Sequence, residues 1–119
     1  MVIFAIIVVA LLIWSFYSNS DEYKAKVNNN LEQAKVNFMK LIDNLTSDMN
    51  IGEVKSYIAI KPFEQTSSKL IYRLTVFEDI HVSSRGTSTF RRYSFIEINF
   101  ENGHIKRVYE DYHLYKEFK

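Results

Sequence analysis

The chain has 119 residues, with 15 Lys and Arg against 14 Asp and Glu and no cysteine. Disulfides, thiolate metal sites and cysteine nucleophiles are therefore excluded, and the near-neutral charge argues against a general nucleic-acid binder, which needs a basic excess to neutralise phosphates. Aromatic residues make up 15% of the chain, which is enough apolar mass for a folded core.

The first twenty residues carry no charged side chain, and residues 2–17 are interrupted only by Ser15. As a helix, residues 1–20 would be about 30 Å long, which matches the hydrocarbon thickness of a bilayer. No basic residue precedes the apolar run, as one would in a cleaved signal peptide. The stretch is therefore predicted to be a single-pass transmembrane anchor that contacts the lipid bilayer through residues 2–17. Its end carries three aromatic residues that suit the headgroup region: Trp14, Phe16 and Tyr17.

The side of the membrane on which the rest of the chain lies is indicated by basic residues near the span. Lys24, Lys26 and Lys35 follow it, and none precedes it. The positive-inside rule therefore favours a cytoplasmic domain. Because almost no chain precedes the span, the outward orientation stays open as an alternative.

An amphipathic helix is predicted from about Asp21 to Asp48, and residues 21–49 are predicted to be the helical part of a soluble domain. Asn19 and Glu22 have the spacing of a capping box, and Gly52 can end the helix in a left-handed conformation. Whether this helix continues from the membrane span is open, since neither Pro nor Gly separates them. Apolar residues recur at alternating intervals of four and three: Val27, Leu31, Ala34, Phe38, Leu41 and Leu45.

Residues 50–119 are predicted to form the β-sheet part of the same domain, because the apolar period changes to two after Gly52. Asn102-Gly103 is a strong signal for a tight hairpin. The predicted fold class is α+β, with a transmembrane helix followed by an amphipathic helix packed on a four-stranded antiparallel meander. The four predicted strands are Val54–Ile60, Leu70–Phe77 with an extension towards Val82, Phe90–Phe100, and His104 to about Tyr109, with a loop at residues 83–88.

The Asn102-Gly103 hairpin also predicts a register in which Phe100 faces Ile105, Ile98 faces Arg107 and Ile96 faces Tyr109. The helix-facing side would then hold Ile96, Ile98, Phe100, Ile105 and Tyr109, with Arg107 among them. The opposite face would be mixed and wetter: Phe95, Glu97, Asn99, Lys106 and Val108. An aromatic residue at every third position of the C-terminal end fits neither a helix nor a strand, and predicts a strand that frays into an irregular tail: Tyr109, Tyr112, Tyr115 and Phe118.

Catalytic and cofactor motifs are sparse. His81, His104 and His113 lack the spacing of a metal site, and isolated glycines do not form a phosphate-binding loop. Adjacent carboxylates such as Glu110 and Asp111 point to opposite faces of a strand. The protein is therefore expected not to be an enzyme and to hold no cofactor or metal.

One basic segment is a candidate anion-contact patch for anionic lipid or nucleic acid. Its cations outnumber the nearby carboxylates of Glu97 and Glu101. The alternative is a charged edge strand that resists pairing with other sheets. The patch consists of Arg85, Arg91, Arg92, Lys106 and Arg107.

Three functions fit this layout. The first is a membrane-tethered, non-enzymatic interaction module, an accessory subunit of a membrane or envelope assembly with a protein partner. The second is a pilin-like structural subunit, which the chain resembles in the order of its elements but not in motif, since Ala5 stands where such chains carry Glu and no basic leader precedes it. The third is a membrane-bound binder of anionic lipid or nucleic acid through the Arg85, Arg91 and Arg92 hairpin.

Overall fold

The computed structural model describes residues 21–119, and the predicted membrane span at residues 1–20 lies outside the described residues. Residues 21–119 have an α+β fold in which a helix packs on a five-stranded antiparallel sheet. Neither helix in this part of the chain is long and apolar enough to cross a membrane. In chain order the elements are α1 (Asp21–Asp43), α2 (Ile51–Tyr57), β1 (Glu64–Gln65), β2 (Lys69–Ser83), β3 (Gly86–Glu101), β4 (His104–Glu110) and β5 (His113–Glu117).

Helix α1 confirms the amphipathic helix but ends at Asp43, five residues before the predicted end. Its ends suit the helix dipole, with two acidic residues in the first turn and Lys40 in the last. Phe38 and Ile42 are buried on its inner side. After Asp43 the amide of Leu45 donates to the carbonyl of Ile42 at 3.2 Å. This bond spans three residues instead of the four of an α-helix, so the chain turns more tightly while Leu45 stays in the core.

Helix α2 replaces the predicted strand Val54–Ile60, which was wrong. Asn50 caps the helix, since its Oδ1 accepts from the amide of Glu53 at 2.8 Å and the Glu53 carboxylate accepts from the Asn50 amide at 3.4 Å. Val54 and Ile58, four residues apart, are fully buried, whereas Ile60 is 52% exposed. The apolar spacing therefore follows a helix turn, and Gly52 lies in the first turn of α2 rather than at the end of α1.

The sheet is a meander of order β1-β2-β3-β4-β5 in which every neighbouring pair is antiparallel. The predicted strands at Leu70, Phe90 and His104 are confirmed as β2, β3 and β4. The first two are longer than predicted, because a tight turn at residues 84–85 replaces the loop at 83–88. The strand count of four was wrong, since β1 and β5 were not predicted.

The β3–β4 hairpin turns at Asn102 and Gly103, whose φ angles are +54° and +80°. Phe100 pairs with Ile105 as predicted, but Asn99 pairs with Arg107, so Lys106 is an extra residue that forms a β-bulge. Beyond this bulge the alternation of β4 is inverted relative to the prediction. Val108 is therefore fully buried where Tyr109 was expected, and Arg107 lies on the opposite face of the sheet.

The core lies between the two helices and one face of the sheet, called here the inner face. The other side of the sheet is the outer face. The rings of Phe38 from α1 and Tyr72 from β2 meet with centroids 5.4 Å apart. Besides these rings the core contains Ile42, Leu45, Val54, Ile58, Leu70, Ile96, Ile98, Phe100, Ile105, Val108 and Phe118.

The C-terminal aromatic residues belong to a regular hairpin, so the predicted frayed tail was wrong. Strand β5 pairs with β4, and the pairing skips Tyr115, which is the extra residue of a second bulge. The turn and the bulge send successive aromatic residues to different places. Tyr109 lies beside Glu97 on the outer face, Tyr112 sits in the turn, Tyr115 donates its hydroxyl to Asp43 of α1 at 2.7 Å, and Phe118 enters the core.

Candidate functional site

A groove of about 380 Å³ lies on the outer face of the sheet, the side that neither helix of residues 21–119 covers. Its residues come from β1 to β4, the segment before β1 and the β4–β5 turn. Most of its surface is aromatic or aliphatic, and two carboxylates interrupt it. This outer-face groove is lined by Phe63, Glu64, Ile71, Phe95, Glu97, Tyr109 and Tyr112.

The centre of the groove is one cross-strand row of the sheet. Ile71 pairs with Glu64 on one side and with Glu97 on the other, and Glu97 pairs with Tyr109. Paired residues of neighbouring strands project to the same face, so the four side chains stand side by side. With strands about 4.8 Å apart, the backbones that carry the two glutamates are about 10 Å apart with Ile71 between them.

Aromatic rings form the rest of the groove, and one end of it already holds a cation. The rings of Phe63 and Phe95 meet with centroids 6.0 Å apart and planes at 60°. The guanidinium of Arg73 lies 4.5 Å from the ring centroid of Phe63 and 4.5 Å from that of Tyr93. Both distances are within the range of a cation–π contact. Arg73 therefore occupies one side of the Phe63 ring at this end of the groove.

The β4–β5 turn places Tyr112 at the rim of the groove. Asp111 and Tyr112 have φ angles of +48° and +70°, which non-glycine residues rarely adopt. The Asp111 carboxylate accepts from the Phe95 amide and the Ser94 hydroxyl, each at 2.9 Å, and the Asp111 amide donates to the Phe95 carbonyl at 2.9 Å. These three bonds hold the turn against β3, yet the Tyr112 side chain is 90% exposed.

The two groove carboxylates differ in their surroundings. Glu97 forms an ion pair with Lys69 at 3.4 Å, and the Lys69 side chain is 41% exposed. Such an exposed pair contributes little stability and exchanges readily with other partners. Glu64 forms no ion pair with any residue of the described range 21–119. Negative charge is therefore available on both sides of Ile71.

The predicted anion-contact patch is divided by the structure into separate parts. Arg91 and Arg107 are eight residues apart along the sheet, because Arg107 pairs with Asn99, which corresponds to about 26 Å of strand. Arg85 lies in the turn at the far end of the β2–β3 hairpin. Lys106 occupies the bulge beside Arg107. The five cations therefore do not form one cluster.

Three of these arginines also have partners within the domain. Arg91 donates to Glu78 at 3.0 Å, and this carboxylate raises the pKa of the Arg91 guanidinium. Arg92 lies 5.2 Å from the ring centroid of Phe77. The guanidinium of Arg107 is 3.7 Å from the Glu117 carboxylate. The pairing of Arg91 with Glu78 links β2 and β3 within the hairpin.

The histidines are placed on separate strands. His81 pairs with Ser88 in the β2–β3 hairpin, while His104 and His113 begin β4 and β5. Within residues 21–119, no three His, Asp or Glu side chains are grouped in a way that could hold a metal ion.

The outer-face groove was not predicted from the sequence, although Phe95 and Glu97 were assigned to the correct face. Its formation depends on β1 and on the β4–β5 turn, neither of which was predicted. A usable signal was present in β2, where Leu70 and Tyr72 alternate with Ile71. Apolar residues on both faces of a strand indicate that the second face also packs against another part of the protein or binds a partner.

Comparison with known proteins assigns no family to the chain. It matches no family model, no curated protein and no solved structure. The role of the outer-face groove is therefore inferred from its own residues.

Proposed function

We propose that this protein is a membrane-tethered, non-enzymatic interaction module that binds a protein partner through the outer-face groove. It would act as an accessory subunit of a membrane or envelope assembly. The uncharged sequence of residues 1–20 supports the tether. The aromatic groove on the outer face of the sheet supports the binding role.

The observation that carries this proposal is the placement of Tyr112. Its ring is 90% exposed at the rim of a groove lined by other aromatic rings, and exposed apolar surface that is contiguous rather than scattered marks interaction sites. Tyr112 and Asp111 are also held in a left-handed conformation that costs about 1–2 kcal/mol per residue. Strained backbone of this kind is concentrated at binding sites, and tyrosine is enriched among the residues that dominate interface energies.

The attachment of the sheet to α1 supports a fixed position of the groove relative to the start of α1 at Asp21. Contacts run along the helix from Lys24, which pairs with Asp79 at 3.0 Å, to Lys35, which pairs with Glu110 at 2.7 Å. Lys35 lies about 20 Å along α1 from its first residue. If α1 points away from the bilayer, the groove stands beyond the headgroups, at a height where a neighbouring protein subunit would meet it.

Site-specific photo-crosslinking in native membranes tests this proposal. A photoreactive amino acid at position 112 is expected to give one discrete crosslinked protein in the membrane fraction. The matched control is the same amino acid at Glu32, an exposed position of α1 away from the sheet, where no such product is expected. Recovery of the chain in the soluble fraction, or equal products from both positions, would overturn the proposal.

A further inference from the structure

We infer that the outer-face groove binds an arginine or lysine side chain presented by an extended segment of the protein partner. The inference rests on the proposed function and specifies the chemistry that the groove selects. Three features of the described residues support it: the charge of the groove, the orientation of its rings and the open edge of the neighbouring strand.

Charge complementarity favours a cation. Glu64 and Glu97 flank Ile71 in one row of the sheet, and the residues of the described range that line the groove include no Lys or Arg, although Arg73 lies 4.5 Å from the Phe63 ring at one end of it. An anionic ligand would meet two carboxylates, and a purely apolar ligand would bury the Glu64 carboxylate without a partner. A guanidinium or ammonium group placed over Ile71 can interact with both. Lys69 is an exposed partner of Glu97 at 3.4 Å and can be displaced from it.

The rings favour a cation that can stack. Arg73 already lies against Phe63 and Tyr93 at 4.5 Å from each centroid, so this part of the sheet binds a guanidinium within the chain. Phe95, Tyr109 and Tyr112 offer further ring surface in the groove. Arginine and lysine also carry aliphatic stems that can cover Ile71 while their charged ends reach the carboxylates.

The edge of β2 favours a cation carried by a polypeptide rather than a small molecule. Strand β1 pairs only with Leu70 and Ile71 of the 15-residue strand β2. No other strand of residues 21–119 pairs with this side of β2, which leaves the stretch between Ile71 and Glu78 for an additional extended segment; the Glu78 amide itself donates to Asn28 of α1 at 2.8 Å. Strand addition of this kind supplies main-chain hydrogen bonds, while a pocket selects one side chain. The groove and the open edge together match a basic residue in an extended conformation.

Binding of defined peptides tests the inference. The full chain is studied in a non-ionic maltoside detergent, because detergents with a choline group would compete as cations. The probes are a Ser-rich peptide with three arginines, the same peptide with citrulline, which has nearly the shape of arginine without its charge, and the same peptide with leucine. Affinity is measured by NMR titration, which detects weak binding and reports on groove residues directly.

The arginine peptide is expected to bind at least about tenfold more tightly than the citrulline and leucine peptides, with its affinity falling as salt screens the charges. The double variant Glu64→Gln and Glu97→Gln is expected to lose this preference. The control Glu32→Gln and Glu101→Gln removes the same charge from exposed positions outside the groove and should bind as the parent does. An unchanged amide spectrum establishes that each variant is folded.

Three results would overturn the inference. Equal affinity for arginine and citrulline would show that charge is not selected, and tighter binding of leucine would indicate an apolar partner. Displacement of groove signals by tetramethylammonium, without binding of the arginine peptide, would indicate a small organic cation. If any of these occurs while crosslinks from position 112 persist, the proposed function stands and only the basic partner is excluded. Loss of the crosslinks excludes the proposed function itself.

Discussion

Replacing Asp111 by alanine tests the structure of the β4–β5 turn that presents Tyr112. The substitution removes the carboxylate that accepts from the Phe95 amide and the Ser94 hydroxyl. Ser94 is only 1% exposed, so its hydroxyl would be left buried without a partner. Alanine would also have to adopt the φ of +48° observed at this position.

The expected loss of unfolding free energy is about 3 kcal/mol. A buried hydroxyl without a partner costs about 1–3 kcal/mol, and a lost hydrogen bond to an exposed backbone amide costs about 1 kcal/mol. Aspartate already occupies this left-handed conformation, so the backbone itself adds little to the Asp111→Ala loss. Asp111→Asn keeps a side-chain oxygen and tolerates the left-handed region, so it should lose about 1 kcal/mol.

Urea unfolding of the full chain in non-ionic detergent, followed by the near-ultraviolet circular dichroism of tyrosine, measures these differences. A loss of 3 kcal/mol should lower the midpoint by about 2 M urea. Asp111→Gly removes the same hydrogen bonds, but glycine adopts a positive φ without the steric cost of a β-carbon. The glycine variant should therefore be about 1 kcal/mol more stable than Asp111→Ala. A loss below about 1 kcal/mol for Asp111→Ala, or equal losses for alanine and glycine, would refute this description of the turn.

Three further predictions concern other contacts. The hydrogen bond to Asp43 raises the pKa of Tyr115 to about 12, from an ordinary value of 10.0. The folded state therefore holds this proton more tightly, so the bond stabilises the fold fully below pH 10 and its contribution is lost as the pH rises through 12. Asp43→Asn should lower the pH midpoint at which Tyr115 ionises, measured by tyrosinate absorbance. An unchanged midpoint would contradict the assignment. Tyr72→Phe removes a buried hydroxyl that has no hydrogen-bond partner among residues 21–119, so thermal unfolding should show no loss of stability or a gain of about 1 kcal/mol, and a clear loss would contradict this environment. Asn50→Ala removes the cap of α2 and should cost about 1 kcal/mol in urea unfolding, whereas Asn50→Gly should cost a few tenths; equal stability of all three chains would exclude the cap.

The α+β class, helix α1 and the central β3–β4 hairpin were predictable because each has a strong local pattern. The apolar stripe of α1 and the alternation of Ile96, Ile98 and Phe100 identify the surfaces that pack together. Asn102-Gly103 identifies the turn, since both residues adopt positive φ there.

Bulges account for the errors in register. A bulge adds one residue to one strand and inverts which side chains face the core, but it leaves no reliable mark in the sequence. The bulge at Lys106 places Val108 in the core, where Tyr109 was predicted, and places Arg107 on the outer face. At Tyr115 it turns a side chain towards α1, so a three-residue aromatic repeat can occur within an ordinary hairpin.

Helix α2 was misread because a short apolar segment fits two periods. Val54 and Ile58 are four apart, which suits a helix turn as well as alternate strand positions. The capping box of Asn50 and Glu53 was the signal that separates the two, because it satisfies the free amides that only a helix leaves at its start.

The outer-face groove could be predicted only in part, since it combines residues from distant segments. Phe95 and Glu97 belong to β3, but Phe63 and Glu64 come from a segment of two paired residues that has no strand pattern. The left-handed conformation of Tyr112 is equally hidden, because it is imposed by the bonds of Asp111 to Ser94 and Phe95 rather than by local preference.

The central claim is that Tyr112 and the outer-face groove form the site at which a protein partner binds. It is tested most directly by placing a photoreactive amino acid at Phe63, a groove residue that is 48% exposed, and measuring the crosslinking yield in native membranes. Tyr112→Ala keeps a β-carbon in the turn and should reduce the yield by about tenfold or more, as expected for an interface residue of this type. Tyr57→Ala, which removes a 40% exposed tyrosine of α2 outside the groove, should leave the yield unchanged. Equal yields from the two variants would contradict the account.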